Sequence, residues 1–195
     1  MRTAKAPLRP ARHGDAGVLA ELVNHAGEGI PLHLWSKLAE PGESGWDVGR
    51  RRAARDTGSF SYRNATMIEA DGEAAGCLIG YIIPDDPEPL AVDTPAMFAP
   101  LQELENLAPG TWYVNVLAVL PAHRNRGLGA AMLAHADATA RGLARHAMSV
   151  IVSDANPGAR RLYERSGYLE AARRPMVKED WINDGENWVL LTKSL

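Results

Sequence analysis

The chain has 195 residues, 46% hydrophobic and 23% charged, enough for one compact domain with a sizeable core. With 21 Lys and Arg against 24 Asp and Glu, its formal net charge of -3 argues against a nucleic-acid partner, which calls for a basic excess or a basic stripe. A single cysteine, Cys77, excludes an internal disulfide and a thiol-rich metal site, and no HExxH or paired Cys/His spacing occurs among the six histidines, so no metal is expected.

The opening stretch MRTAKAPLRPARHGDAG has no apolar leader, and no apolar run approaches the roughly 18 residues of a spanning helix. The expectation is therefore a cytoplasmic protein with no membrane partner. PLRPARHGD reads as a first strand ended by Gly14, with Asp15 as N-cap of the helix AGVLAELVNHAG, which stops at Gly27. PLHLWSKLAE, with Pro31 in the first turn, and SGWDVGRRRAARD read as two further short helices seated on the core by Trp35 and Trp46. The alternation in FSYRNATMIEADGEAAGCLIGYIIPDD predicts two strands joined by an Asp71-Gly72 hairpin turn. Cys77 lies in the second of them, as a small buried hydrophobe rather than a nucleophile.

Residues 84–110 form a long acidic, proline-punctuated connection with a weak helix around AMFAPLQELENL. TWYVNVLAVL is the clearest strand in the chain. The helix GLGAAMLAHADATARGLA follows, with Leu128, Met132, Ala136, Ala140 and Leu143 on one narrow apolar face of mostly small residues. AMSVIVS is another strand, NPGARRLYERSG another helix, and YLEAARRP and ENWVLLTKSL are two closing strands. The order predicts an α/β fold whose hairpins exclude a purely parallel sheet.

The most informative stretch is LAVLPAHRNRGLGAAML, residues 117–133, where a strand meets a helix through arginines and glycines. The first backbone N–H groups of a helix lack intrahelical partners and carry the positive end of its dipole, so such a turn suits an anion. Gly127 and Gly129 clear the approach to the backbone, while Arg124 and Arg126 offer charge-assisted hydrogen bonds, as a pyrophosphate cradle requires. A P-loop would need Lys-Ser or Lys-Thr where Ala130-Ala131 stands, and a GxGxxG dinucleotide turn would need a small residue at Met132. Downstream, Asn156 and Tyr163 are seven residues apart, two turns along one helical face at about 100° per residue. Asn156 also suits an N-cap, with Pro157 in the first turn.

The run RNRGLG, preceded by LAVLPAHR, resembles the Arg/Gln-x-x-Gly-x-Gly/Ala loop of the GNAT family of N-acetyltransferases. NPGARRLYERSGY, residues 156–168, is similar to the second ordered motif of that family. The resemblance covers most of the chain and implies a single-domain fold over residues 1–195, with a mixed, mostly antiparallel sheet flanked by helices. It implies acetyl-CoA as co-substrate, its pyrophosphate gripped by Arg124, Asn125, Arg126, Gly127, Leu128, Gly129 and Ala130. Backbone groups of Leu117, Ala118 and Val119 would meet the pantetheine and thioester, Asn156 would assist, and Tyr163 would serve the departing sulfur. A phenol of pKa near 10 can hydrogen-bond or protonate a forming thiolate. The acceptor would be a small-molecule or peptide amine attacked directly, and a homodimer is admitted because dimers are common among similar proteins. The alternative is a noncatalytic acyl-CoA-binding module of the same fold.

Deprotonating an amine of pKa near 10.4 at pH 7 costs about 4.6 kcal/mol, so something must accept the proton. Many relatives carry a carboxylate on the strand before the phosphate loop, where this chain has Asn115, an amide and not a base. Glu69, Glu103, Glu105 and His33 remain as candidates for a base. Residues 28–58 stand where relatives build the acceptor-side wall, so Trp35, Trp46 and His33 either pack the core or shape an acceptor pocket. From Asn64 to His123 there is no Lys or Arg, while arginines dominate from Arg124 to Lys178. The cofactor belongs with the basic part, and the acidic connection either attracts a cationic amine or is simply solvated.

Overall fold

The computed structural model describes residues 7–195, so the first six residues of the N-terminal stretch read above lie outside the described residues. The elements follow the expected order, in which β1 is Leu8–Pro10, β2 Ala65–Ala70, β3 Glu73–Ile82, β4 Trp112–Val119, β5 Ala147–Ser153, β6 Leu169–Pro175 and β7 Asn187–Ser194. The helices are α1 Ala16–Ala26, α2 Ile30–Lys37, α3 Gly45–Ala53, α4 Ala99–Glu105, α5 Leu128–Gly142 and α6 Pro157–Arg165. The seven strands run in the sheet order β1-β2-β3-β4-β5-β7-β6. β1 with β2, β2 with β3, β5 with β7 and β6 with β7 are antiparallel, while β4 pairs parallel to β5. This is the mixed, mostly antiparallel sheet flanked by helices that the sequence predicted. The chain divides into two compact units, one ending at Ile79 and adding Val116–Met132, the other comprising Gly80–Asn115 and Leu133–Leu195.

In the first unit the core gathers Leu19 and Leu22 of α1, Ala53 of α3, Met67 of β2, Cys77 and Ile79 of β3, and Val116 and Ala118 of β4. A second cluster seats α2 and α3: Trp35 stacks on Phe60 with centroids 5.5 Å apart and meets Trp46 edge-on at 6.4 Å. Gly49 makes this possible, because a Cβ there would stand 2.5 Å from the Trp35 ring. The β2–β3 turn places Asp71 at φ 57° and Gly72 at φ 85°, the doubly left-handed geometry of a two-residue hairpin.

Three local readings are corrected. β1 ends at Pro10, and Gly14 lies in a 3-10 turn, His13–Asp15, rather than closing a strand. Asp15 stands at the N-cap position of α1, but its side chain makes no cap bond; the carboxylate accepts instead from the Arg12 N–H at 2.6 Å and from both terminal nitrogens of Arg9 at 2.7 and 2.9 Å. On α5, Leu128, Met132, Ala136 and Ala140 are buried as expected, yet Leu143 is half exposed because the helix has ended at Gly142.

In the second unit α4 packs against β5, β6 and β7. Leu104, Met148, Leu190 and Leu191 are fully buried there, and the Thr111 and Ser149 hydroxyls satisfy each other at 2.6 Å. Trp112 lies on Gly80, whose missing side chain leaves room for the indole. Among the described residues no helix is long and apolar enough to cross a membrane, and no group of three His, Cys, Asp or Glu stands ready for a metal ion.

Candidate active site

In the first unit β4 leads through a 3-10 turn, Pro121–His123, into α5. Asn125 and Gly127 both take left-handed backbone angles, φ 60° and 78°, which turn the chain sharply before the helix. Helical bonding begins where the Ala131 N–H donates to the Gly127 carbonyl at 3.0 Å. The three amides before it, those of Leu128, Gly129 and Ala130, therefore stand outside the ladder. No atom comes within 4 Å of the point where a Gly127 Cβ would be, so the turn is open on that side. Arg124, Asn125, Arg126, Gly127 and Ala130 are exposed, and Leu128 is buried as the anchor of α5.

Both loop arginines already have partners. Arg124 donates from Nε to the Val119 carbonyl at 3.1 Å, which ties the loop to the end of β4 and occupies one of the backbone oxygens expected to face pantetheine. Arg126 donates to both carboxylate oxygens of Asp71, at 2.7 and 3.1 Å, and the guanidinium holds that carboxyl below its ordinary range. Ala118 approaches β3 so closely that a Cβ on Gly76 would lie 2.5 Å from the Ala118 carbonyl oxygen. The β4–β5 ladder pairs Trp112 with Met148, Tyr113 with Ser149 and Val114 with Val150, leaving Leu117, Ala118 and Val119 outside it.

In the second unit Asn156 caps α6, its Oδ1 accepting from the Ala159 N–H at 3.0 Å, so the capping role holds. Tyr163 is buried on α6, its ring edge-on to Tyr168 at 5.6 Å. Burial pushes its phenol above the ordinary tyrosine value, so the hydroxyl keeps its proton throughout the physiological range.

The candidate bases separate clearly. Glu69 is bound to Arg9, and Glu103 accepts from Arg174 Nε at 2.7 Å; both carboxylates are neutralised by arginine. His33 sits half buried on α2. Glu105, at the end of α4, accepts instead from the Tyr81 hydroxyl at 3.3 Å. Burial raises its carboxyl above the ordinary glutamate value, opposed by the Tyr81 hydrogen bond and reinforced by Glu88. Asn115 is exposed on β4.

Tyr81 and Tyr113 were missed by the sequence reading. Their rings meet edge-on at 5.3 Å, which places a Tyr113–Tyr81–Glu105 chain beside the acidic connection. The available signal was the period of two on β4, which puts Tyr113 on the face of Asn115. Cys77 is fully buried and its thiol is pushed up to about 12, the behaviour of a packing residue.

The pattern of the acetyltransferase (GNAT) family matches residues 32–168, spanning both motifs, and the chain belongs to that family. Among solved structures, an acetyltransferase is similar at 22% identity over 97% of this chain and 99% of that one, with TM-score 0.63. An N-acetyltransferase from Staphylococcus aureus Mu50 is 17% identical over 96% of this chain and all of its own, with TM-score 0.65. A GNAT family acetyltransferase from Elizabethkingia anophelis, with acetyl-CoA bound, is 14% identical over 99% of this chain and 100% of that one, with TM-score 0.60. No curated protein matches the chain in sequence.

Proposed function

We propose that the whole chain is one acetyl-CoA-dependent N-acetyltransferase that passes the acetyl group directly to a primary amine of a small molecule or peptide. The observation that carries this reading is the open left-handed turn at Gly127, with three helix amides standing outside the ladder behind it. These features fit a pyrophosphate, and Arg124, Asn125, Arg126, Gly127, Leu128, Gly129 and Ala130 would hold it. Leu117 and Ala118 would offer backbone groups to pantetheine amides, as an added strand does. Acetyl-CoA supplies an activated thioester. Tyr163 would stabilise the departing sulfur by donating its hydroxyl hydrogen, a role suited to a phenol whose burial keeps it protonated. Cys77, buried and protonated, supports transfer without a covalent acyl-enzyme.

Asn115 favours a second reading, an acyl-CoA-binding module without catalysis, because an amide occupies the place where many relatives carry a carboxylate. Calorimetric titration with acetyl-CoA, against ATP and NAD as controls, tests both readings, since both require selective micromolar binding. Thiol release on adding amines then separates them: release supports the enzyme, and binding with no release supports the module. We further propose a cytoplasmic location, and leave a homodimer to be tested by sedimentation.

A further inference from the structure

We propose that Glu105 is the group that takes the proton from the acceptor amine and that Tyr81 holds it in position; this rests on the acetyl-transfer reading above. The position on β4 where the resemblance calls for a carboxylate is filled by Asn115. Tyr113 lies on the same strand face two residues earlier, and its ring touches Tyr81, whose hydroxyl donates to Glu105 at 3.3 Å. Tyr113 also interacts electrostatically with both Glu105 and Tyr163. A carboxylate from α4 thus reaches, through two tyrosines, toward the strand face that lacks one of its own.

Among the described residues no ion pair neutralises Glu105, in contrast to Glu69 and Glu103. Its surroundings are Tyr81 of β3, Tyr113 of β4 and Glu88 of the connection, with no cation contributing. On the elements packed against α4, Arg174 is spent on Glu103, Arg173 on Glu170 and Lys193 on Asp137. Asn106, next in sequence, clasps the Glu88 backbone at both ends: the Glu88 N–H donates to its Oδ1 at 3.1 Å, and its Nδ2 donates to the Glu88 carbonyl at 2.8 Å. The connection is thereby pinned to the end of α4, which keeps Glu88 beside Glu105. Burial of the Glu105 carboxyl moves its titration toward neutrality, where a general base works best.

The step balances. An ammonium acceptor gives one proton to the Glu105 carboxylate, and the freed nitrogen attacks the thioester carbon. The C–N bond forms and the C–S bond breaks. The second N–H proton, lost as the amide forms, goes to the departing sulfur, and Glu105 returns its proton to solvent.

The test compares wild type, Glu105→Gln and Tyr81→Phe in three measurements. Calorimetry reads acetyl-CoA affinity; thiol release reads transfer to spermidine, glycine and kanamycin, and separately to hydroxylamine, which is largely unprotonated at neutral pH; carboxyl carbon NMR of glutamate-labelled protein reads the titration of Glu105, assigned by its loss in Glu105→Gln. Expected are unchanged acetyl-CoA affinity in both variants, a loss of about 100-fold or more in amine transfer for Glu105→Gln, and a much smaller loss with hydroxylamine. Tyr81→Phe, which removes the hydrogen bond that favours the carboxylate, should move the acidic limb of the pH profile and the NMR midpoint upward together. Equal losses with amine and hydroxylamine, an unaltered Glu105→Gln, an NMR midpoint at the ordinary glutamate value, or a wild type that binds acetyl-CoA yet acetylates none of the amines would each overturn the assignment. A wild type that fails to bind acetyl-CoA would instead overturn the acetyl-transfer reading itself.

Discussion

Arg126 grips Asp71 with two hydrogen bonds of 2.7 and 3.1 Å, joining the loop that opens α5 to the turn of the β2–β3 hairpin. Both side chains are substantially exposed, so solvent screens the pair and its contribution to stability is small. A pyrophosphate would have to draw the guanidinium away from Asp71 or share it. Asp71→Asn should therefore tighten acetyl-CoA binding modestly, by a few fold at most for so screened a pair, and Arg126→Ala should weaken it. Calorimetry at two salt concentrations checks this. Weaker binding in Asp71→Asn would show that the pair shapes the loop rather than competing with the ligand.

Gly127 stands at φ 78° with open space where a side chain would begin. Gly127→Ala meets no steric clash and carries only the backbone penalty of a left-handed residue, about 1–2 kcal/mol. Its Cβ would project onto the open side, so acetyl-CoA affinity should fall at least tenfold while the protein remains folded. Chemical denaturation alongside calorimetry measures both losses. If they match, the glycine serves the turn alone.

How much of this was legible in the sequence depends on distance along the chain. The Asp71-Gly72 turn, the Gly27 stop of α1 and the RNRGLG loop are local events, fixed by backbone preferences over a few residues, and each stands where it was read. The two motifs of the family are local in the same sense. What escaped was the competition among side chains for partners, within a few residues for Asp15 and across tens of residues for the glutamates. Asp15 has the residue type and position of an N-cap, but Arg9 competes for its carboxylate and wins with a two-pronged ion pair. Glu69, Glu103 and Glu105 look alike in sequence, and only the placement of Arg9, Arg174 and Tyr81 separates two neutralised carboxylates from one that has no ion pair among the described residues.

The Arg9 network predicts how acid acts on the first unit. Arg9 bridges Asp15 and Glu69, and its hydrogen bond holds the Asp15 carboxyl below the ordinary aspartate value while its own guanidinium is held above the usual arginine value. A depressed acid contributes stability that is present above its unfolded pKa and is lost as pH falls through the folded one, so this contribution should begin to fall away below about pH 4 and be gone once the folded carboxyl is protonated. Arg9→Met should be less stable than wild type at pH 7, with the difference shrinking as the pH drops toward 2. Urea unfolding across that range measures it, and a difference independent of pH would mean that Arg9 acts only through the packing of its stem.

Asn156 and Tyr163 share α6 but should fail differently when altered. The Asn156 side chain accepts the Ala159 N–H, so Asn156→Ala should cost about 0.5–2 kcal/mol of stability, and Asn156→Asp, which can make the same cap, should restore it. Tyr163 is buried with its proton secured, and Tyr163→Phe removes a hydroxyl while keeping the ring that packs on Tyr168. Stability and acetyl-CoA affinity should then change little, while kcat falls by about 100-fold or more because only the forming thiolate needs that hydrogen bond. Phenol and thiol matter here in their order of acidity: a tyrosine raised above its usual pKa near 10 is a weaker acid than a thiol near 8.5, so the proton stays mostly on oxygen and the help is a hydrogen bond rather than full transfer. Accordingly the rate should not fall with pH until well into the alkaline range. An alkaline limb near pH 8 that vanishes in Tyr163→Phe would mean that the phenol ionises far more readily than its burial allows, and would remove the role assigned to it.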